Sequence, residues 1–298
     1  MPIRRNSPCK VNFVLNLLGK RSDGYHELET LFFPVPLHDV LTVDRAAAAS
    51  SGATADKVLL TCDHPGLPCD GTNLVHKAAT AFLAASGIPT AVSLNLEKRL
   101  PLAAGIGGGS ANAAVTLLAL NELFDYPLAI ADLDRLAAGL GSDVNFFLQP
   151  NPALASGRGE RIEPLAPFSS LRGTAMLLFH PGFGVSTPWA FKELARFPED
   201  LNGRPGRARE VAQLFQSGDL TAAGNALFNG LENPVFEKYP ILKLYTGFMR
   251  RNGAFGALMS GSGSTTFGLF PDLKTAREAS VGFRKEFGTA GWLEVVAL

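Results

Sequence analysis

The chain is expected to form an α+β fold of two domains, and three observations lead there. Its 298 residues exceed what one hydrophobic core usually organises. Strand-like and helix-like segments mix without the regular β-α alternation of a doubly wound sheet. Composition also breaks across Pro150–Gly159, which places the expected domains at 1–152 and 153–298. An apolar content of 46% with 18% charged residues suits a globular protein. Lys+Arg and Asp+Glu balance at 27 each, so charge gives no case for nucleic acid or an anionic membrane as partner.

Cys9, Val11, Phe13, Leu15 and Leu17 alternate with Lys10, Asn12 and Asn16, which predicts a strand with one buried and one polar face. Gly19–Gly24 reads as a turn, and Leu28–Val43 as strands bent at Pro34 and Pro36. The Ala-, Ser- and Gly-rich stretch Ala46–Ala55 predicts an exposed loop or hairpin. Thr72 can cap a helix bearing Val75, Ala78, Ala79 and Phe82 on one face, stopped by Gly87 and Pro89. Val92, Leu94 and Leu96 form a strand running into a glycine-rich loop. Beyond it, Ala113, Leu117, Leu120 and Phe124 recur at helical spacing from a start near Ser110.

Asp132–Leu140 is a further helix. In the second half, Ala175–Phe179 is a buried strand, Arg204–Leu231 is mostly helical and Ile241–Arg251 is a helix. A second glycine-serine segment, Ser260-Gly-Ser-Gly-Ser264, precedes the strand Thr265–Phe270, and no internal repeat is visible.

Several function classes recede. Cys9, Cys62 and Cys69 make no disulfide framework, which fits a reducing, cytoplasmic compartment. Cys62, His64, Cys69 and Asp70 lie close in sequence, as a metal site or as a turn around Pro65, Gly66 and Pro68. Their spacing fits no zinc pattern. Arg4 and Arg5 do not open a leader, because Lys10, Asn12 and Asn16 interrupt the apolar run. The uncharged stretch between Arg99 and Glu122 carries Pro101, four glycines, Ser110, Asn112 and Thr116, so it reads as a loop feeding a helix rather than a membrane span.

The chemistry concentrates in three places. In Pro101-Leu-Ala-Ala-Gly-Ile-Gly-Gly-Gly-Ser-Ala-Asn-Ala-Ala114, residues without Cβ let main-chain N–H groups converge on an anion, and the following helix adds its unsatisfied amides. The segment is neither a Walker A loop nor a dinucleotide fingerprint, and a purely structural turn is the alternative. Lys10 stands on the polar side of its strand as either a solvated or a functional cation. Asp143, ahead of Phe146-Phe-Leu148, is either a helix cap or a base held ionised by a lysine.

These residues resemble the superfamily of galactokinase, homoserine kinase, mevalonate kinase and phosphomevalonate kinase in three regions: Lys10-Val-Asn12, Gly105–Ala114 and Gly256-Ala-Leu-Met-Ser-Gly-Ser-Gly-Ser264. The likeness runs from about Ser7 to Phe270. Lys10-Val-Asn-Phe with Gly19-Lys-Arg-Ser-Asp-Gly-Tyr-His-Glu-Leu28 is similar to the branch that phosphorylates a cytidyl-diphosphate polyol on the non-mevalonate route to isoprenoids.

The resemblance implies an N-terminal nucleotide-binding domain, a C-terminal domain contributing to the substrate site, and an active site in the cleft between them. It implies ATP with Mg2+ and transfer to a 2-hydroxyl, with Asp143 as base and Lys10 as its partner. The nucleotide would meet Pro101, Leu102, Ala103, Ala104, Gly105, Ile106, Gly107, Gly108, Gly109, Ser110 and Ala111, with Asn73 and Lys98 nearby. The cytidyl substrate would meet Asn12, Tyr25, His26 and Phe191, the two aromatics facing the base. The metal would rest on phosphates and water, with Ser110 as a protein ligand. A monomer or weak homodimer is expected.

Some positions depart from the family pattern: Cys9 stands for Ala, Ala103 and Ala104 for glycines, and Ser142 and Asn145 for Ala and Pro. A sister kinase for homoserine, mevalonate or a sugar shares the loop but has no base to stack on Tyr25. A non-catalytic relative would be expected to have lost the loop or the Lys/Asp pair.

Overall fold

Local sequence preferences become two compact units whose chain segments interleave. The structure, a computed structural model, describes residues 1–46 and 57–298. Most of the expected loop at Ala46–Ala55 lies outside the described residues. The first unit holds residues 1–9, 37–100 and 107–150, and the second holds 10–36, 101–106 and 151–298. The change at Pro150/Asn151 falls beside the expected boundary at 152/153. The changes at 9/10 and 36/37 fall within β1 (Ile3–Lys20) and β2 (His26–Arg45), and those at 100/101 and 106/107 bracket the first half of the glycine-rich loop.

In the first unit, β3 (Val58–Cys62) pairs in parallel with β4 (Val92–Glu97), which pairs antiparallel with Val40–Arg45 of β2. Helices α1 (Leu74–Ser86), α2 (Gly108–Leu123) and α3 (Ile130–Leu140) pack on one another. The central helix, α2, is buried on almost every side. Its interior polar groups are therefore satisfied internally: the Thr116 hydroxyl donates to Asn112 O, and Asn121 exchanges two hydrogen bonds with Leu128. The helix begins at Gly108 rather than near Ser110, and α1 is capped by Asn73 rather than Thr72.

In the second unit, Leu28–Phe32 of β2 pairs with β5 (Ala153–Gly157), which turns back as β6 (Arg161–Pro164). Pro34 and Pro36 do not break β2 as expected. They fall between its ladders with β5 and β4, where missing N–H groups cost nothing to either. The chain continues through β7 (Ala175–His180), α4 (Thr187–Glu193), α5 (Pro198–Leu201), α6 (Arg207–Ser217) and α7 (Leu220–Ala226). The short β8 (Phe228–Asn229) runs parallel to β1 at Val14 and Leu15.

After α8 (Glu232–Lys238) and α9 (Ile241–Arg251) come β9 (Gly256–Met259), β10 (Thr266–Phe270), α10 (Leu273–Phe287) and β11 (Trp292–Ala297). Strands β11-β7-β10-β9 form an antiparallel sheet covered by α9 and α10. Phe179, Tyr245, Phe248 and Phe283 pack edge-on in its core, where aromatic pairs prefer such geometry. No described helix is long and apolar enough to cross a membrane.

One expectation of β1 fails instructively. Its alternation is present, but the polar face is not solvated: Lys10, Asn12 and Asn16 are 3%, 2% and 0% exposed. A polar residue survives such burial only by finding partners, and those partners build the site.

Candidate active site

Residues 101–106 and β2 cover the polar face of β1 in the second unit. The Lys10 N–H donates to Ile106 O at 2.9 Å. Its ammonium donates to Asn12 Oδ1 at 2.7 Å, reaches Gly105 O at 3.4 Å and stands 5.0 Å from the centre of the Phe32 ring. Asn12 Nδ2 donates to Thr30 Oγ1, which donates on to Val14 O. Lys10, Asn12, Gly105 and Ile106 are thereby brought together, as the sequence predicted.

The second glycine-serine segment closes on the first. Ser260 Oγ donates to Gly105 O at 3.0 Å and Thr265 N to Ala104 O at 3.2 Å. Gly105 has φ +78°, and a Cβ there would run into Ser260 O and sit 2.9 Å from Gly263 O. Only glycine meets both demands. Ala103 also takes a left-handed φ of 51°, at a position where the resemblance led us to expect glycine, and its methyl presses against Gly184. Pro101 and Leu102 lead into this bend.

The other half of the loop belongs to the first unit. Gly107, with φ 73°, is the N-cap of α2 and supplies no side-chain acceptor, so the first-turn amides of Gly108, Gly109 and Ser110 keep their capacity for an anion, while the Ala111 amide donates to Gly107 O at 2.9 Å. Against this start lies a buried polar cluster. Lys98 pairs with Asp39 and stands 3.4 Å from Asn112 Oδ1, and its ammonium is 3.7 Å from where a Gly108 Cβ would sit. Asp39 Oδ1 accepts from the Arg99 and Leu100 amides, while Asn112 Nδ2 donates to Asp39 Oδ2 and Ser7 Oγ.

Asn73 stands at the start of α1, where its Oδ1 accepts from Val75 N and its Nδ2 donates to Pro68 O. Its neighbour Leu74 lies 3.6 Å from the Cβ position of Gly109. Asp143 is half-buried in the turn after α3. Val144 holds the N-cap position of the 3₁₀ turn Asn145–Leu148 that follows it.

The turn Arg21–Tyr25 is closed by Arg21 N donating to Tyr25 O and stiffened by Arg21 pairing with Asp23 and Glu27. It leaves Tyr25 52% exposed, with the Arg158 guanidinium 4.8 Å from the ring centre. The ring that Phe191 of α4 meets is His26, at 5.2 Å. Burial, helped by Lys20, lowers the His26 pKa, so the imidazole is neutral at pH 7 and can both donate and accept.

Sequence reasoning missed Asp39, Asn112, Ser7 and Arg158. Asp39 inside the mostly apolar stretch Leu37–Leu41 and Asn112 inside the small, uncharged first half of α2 are visible hints of buried polar partners. Nothing local marks Arg158, whose partner Tyr25 is distant in sequence.

Comparison with known proteins places the chain in a family. The family model for the N terminal domain of GHMP kinases matches residues 73–149, and that for the GHMP kinases C terminal matches 211–289. A 4-diphosphocytidyl-2-C-methyl-D-erythritol kinase of Pelotomaculum thermopropionicum is 39% identical over 96% of this chain and 95% of its own length. One from Chlorobium phaeobacteroides is 38% identical over 95% and 94%. A crystal structure of 4-(cytidine 5'-diphospho)-2C-methyl-D-erythritol kinase superposes with TM-score 0.76 at 35% identity, covering 99% of this chain and 100% of that one. A homoserine kinase from Cytophaga hutchinsonii, at 18% identity and TM-score 0.68, covers 99% and 93% and shares the fold.

Proposed function

Because this chain belongs to the GHMP kinases and, within them, to the 4-diphosphocytidyl-2-C-methyl-D-erythritol kinases, we propose that it transfers the γ-phosphoryl group of ATP to the 2-hydroxyl of 4-diphosphocytidyl-2-C-methyl-D-erythritol, on the non-mevalonate route to isoprenoids. The observation that carries the proposal is the start of α2. Its amides open without a side-chain cap, directly after a loop whose first half is clamped at Ala104 and Gly105.

Phosphoryl transfer needs positioning and charge stabilisation more than covalent chemistry. The loop amides and the dipole of α2 receive the phosphates, with Lys98 supplying positive charge at the helix start. Asp143 accepts the proton of the attacking hydroxyl. Lys10 is its electrostatic partner and offsets charge that develops during transfer. Asn12 contacts the substrate, Tyr25 and Phe191 flank the cytosine, and neutral His26 reads its polar edge.

Among the described residues no three acidic, histidine or cysteine side chains gather as a metal cage. The donor set fits a Mg2+ carried by phosphates and water, to which Ser110 adds a hydroxyl. Such an ion neutralises phosphate charge. Residues 1–152 serve as the nucleotide domain and 153–298 contribute to the substrate site, in a cytoplasmic monomer or weak homodimer.

An ADP-release assay tests the proposal with the cytidyl alcohol, mevalonate and homoserine as acceptors. Turnover with the cytidyl alcohol alone, inhibited by CDP, is expected. Preference for either other acceptor would overturn it.

A further inference from the structure

Two side chains behind the second glycine-serine segment have no role in the proposed chemistry, yet both bind its main chain. Asn229, buried at the end of β8, donates from Nδ2 to Met259 O at 2.7 Å and to Gly261 O at 2.8 Å, and its Oδ1 accepts from Leu231 N. Glu232, at the start of α8, accepts from Met259 N through Oε1 at 2.8 Å. Met259 is therefore held by both its N–H and its C=O, and Gly261 by its C=O.

The held segment needs such anchors. The β9–β10 ladder ends at Met259 opposite Thr266, so residues 260–265 lie beyond it. Ser260 N donates to Thr265 O and Ser264 Oγ to Phe183 O, but the two glycines and short serine side chains still leave the run a large conformational entropy to lose. Within that run Ser260 gives its hydroxyl to Gly105 O, the carbonyl that the Lys10 ammonium also approaches, and Thr265 N holds Ala104 O. Each link is a hydrogen bond between named atoms, from 2.7 Å at Asn229 to 3.4 Å at Lys10.

We propose that Asn229 and Glu232 are positioning residues for phosphoryl transfer, locking Met259–Gly261 and, through Ser260 and Thr265, setting the first half of the phosphate loop against Lys10. The catalytic part of this inference rests on the kinase function proposed above, while its structural part does not. Desolvation pushes the Glu232 carboxyl up to about 7, against the opposing pull of the Met259 amide and Arg250, so a neutral amide is a fair mimic of it.

The test compares the full chain with Glu232→Ala, Glu232→Gln and Asn229→Ala by hydrogen exchange and steady-state kinetics. Both alanine variants are expected to speed amide exchange at Lys10 and Thr265, whose N–H groups donate to Ile106 O and Ala104 O, at least about tenfold, with α9 unchanged. They should lower kcat about tenfold while the KM for the cytidyl substrate stays within about twofold, because a displaced loop spoils alignment more than it spoils binding of the base. Glu232→Gln keeps the acceptor and should restore both readouts. Unchanged exchange at Lys10 and Thr265 in the alanine variants overturns the proposal, and so does a glutamine variant as impaired as the alanine one. Should Asn229→Ala fail to fold, the Glu232 pair decides alone. A parent chain without turnover sinks the kinase function, and the exchange data still decide the coupling between the two glycine segments.

Discussion

Asp143 and Tyr25 show how differently two site residues depend on their surroundings. As the proposed base, Asp143 would contribute through its charge, so Asp143→Asn, which keeps shape and loses the base, is expected to lower kcat by at least about 10² with nucleotide binding unchanged. Single-turnover rates beside titration with an ATP analogue check this; full activity would take Asp143 out of the mechanism. Tyr25 contributes through its exposed ring. Its Arg21 scaffold is made of partly exposed ion pairs, each adding little stability. Tyr25→Ala should raise the KM for the cytidyl substrate about tenfold and leave the melting temperature nearly unchanged. A change confined to the KM for ATP would contradict the stacking role.

At the scale of elements, the start of α2 is set by what lies against it. Lys98 and Asp39 are an almost fully buried ion pair, and the Asp39 carboxylate also draws on two amides and Asn112. Lys98→Met removes the only ammonium the structure places in that cluster and strands the carboxylate. Unfolding in urea should show a loss of about 3 kcal/mol. Pairing it with Asp39→Leu should recover part of that loss, since a buried charge left alone costs more than no charge. Equal stability of the single variant and the parent would show the pair to be solvated.

For the molecule as a whole, two buried titrating groups pull stability in opposite directions with pH. Glu232 has a folded pKa raised from 4.5 to about 7 by desolvation, so its protonated form favours the native state. That contribution is complete below about pH 4.5 and is lost as pH rises to about 7. Glu232→Gln should therefore gain stability over the parent at pH 8, by at most about 3 kcal/mol, with the gain vanishing near pH 4.5. Thermal melts at pH 5 and pH 8 read this directly; a gain equal at both would rule the titration out. His180, whose pKa burial lowers from 6.5, works the other way, and its contribution is lost as pH falls below that value.

Period-two and period-3.6 patterns and glycine runs determined most elements by themselves, because each is a short-range property, while the expected members of the site came from the resemblance to a family. The helix at Ile241–Arg251 and the strand feeding the glycine loop stand where their patterns put them. Tertiary structure alone decided that Lys10, Asn12 and Asn16 are buried and that β2 survives two prolines. It also decided that Asn73 caps a helix, that Lys98 is pinned by Asp39, and that the two glycine segments clasp each other. These outcomes depend on which distant groups replace water around a polar atom. An alternation of residue types records that an atom is polar, whereas its partner comes from chain segments tens to hundreds of residues away.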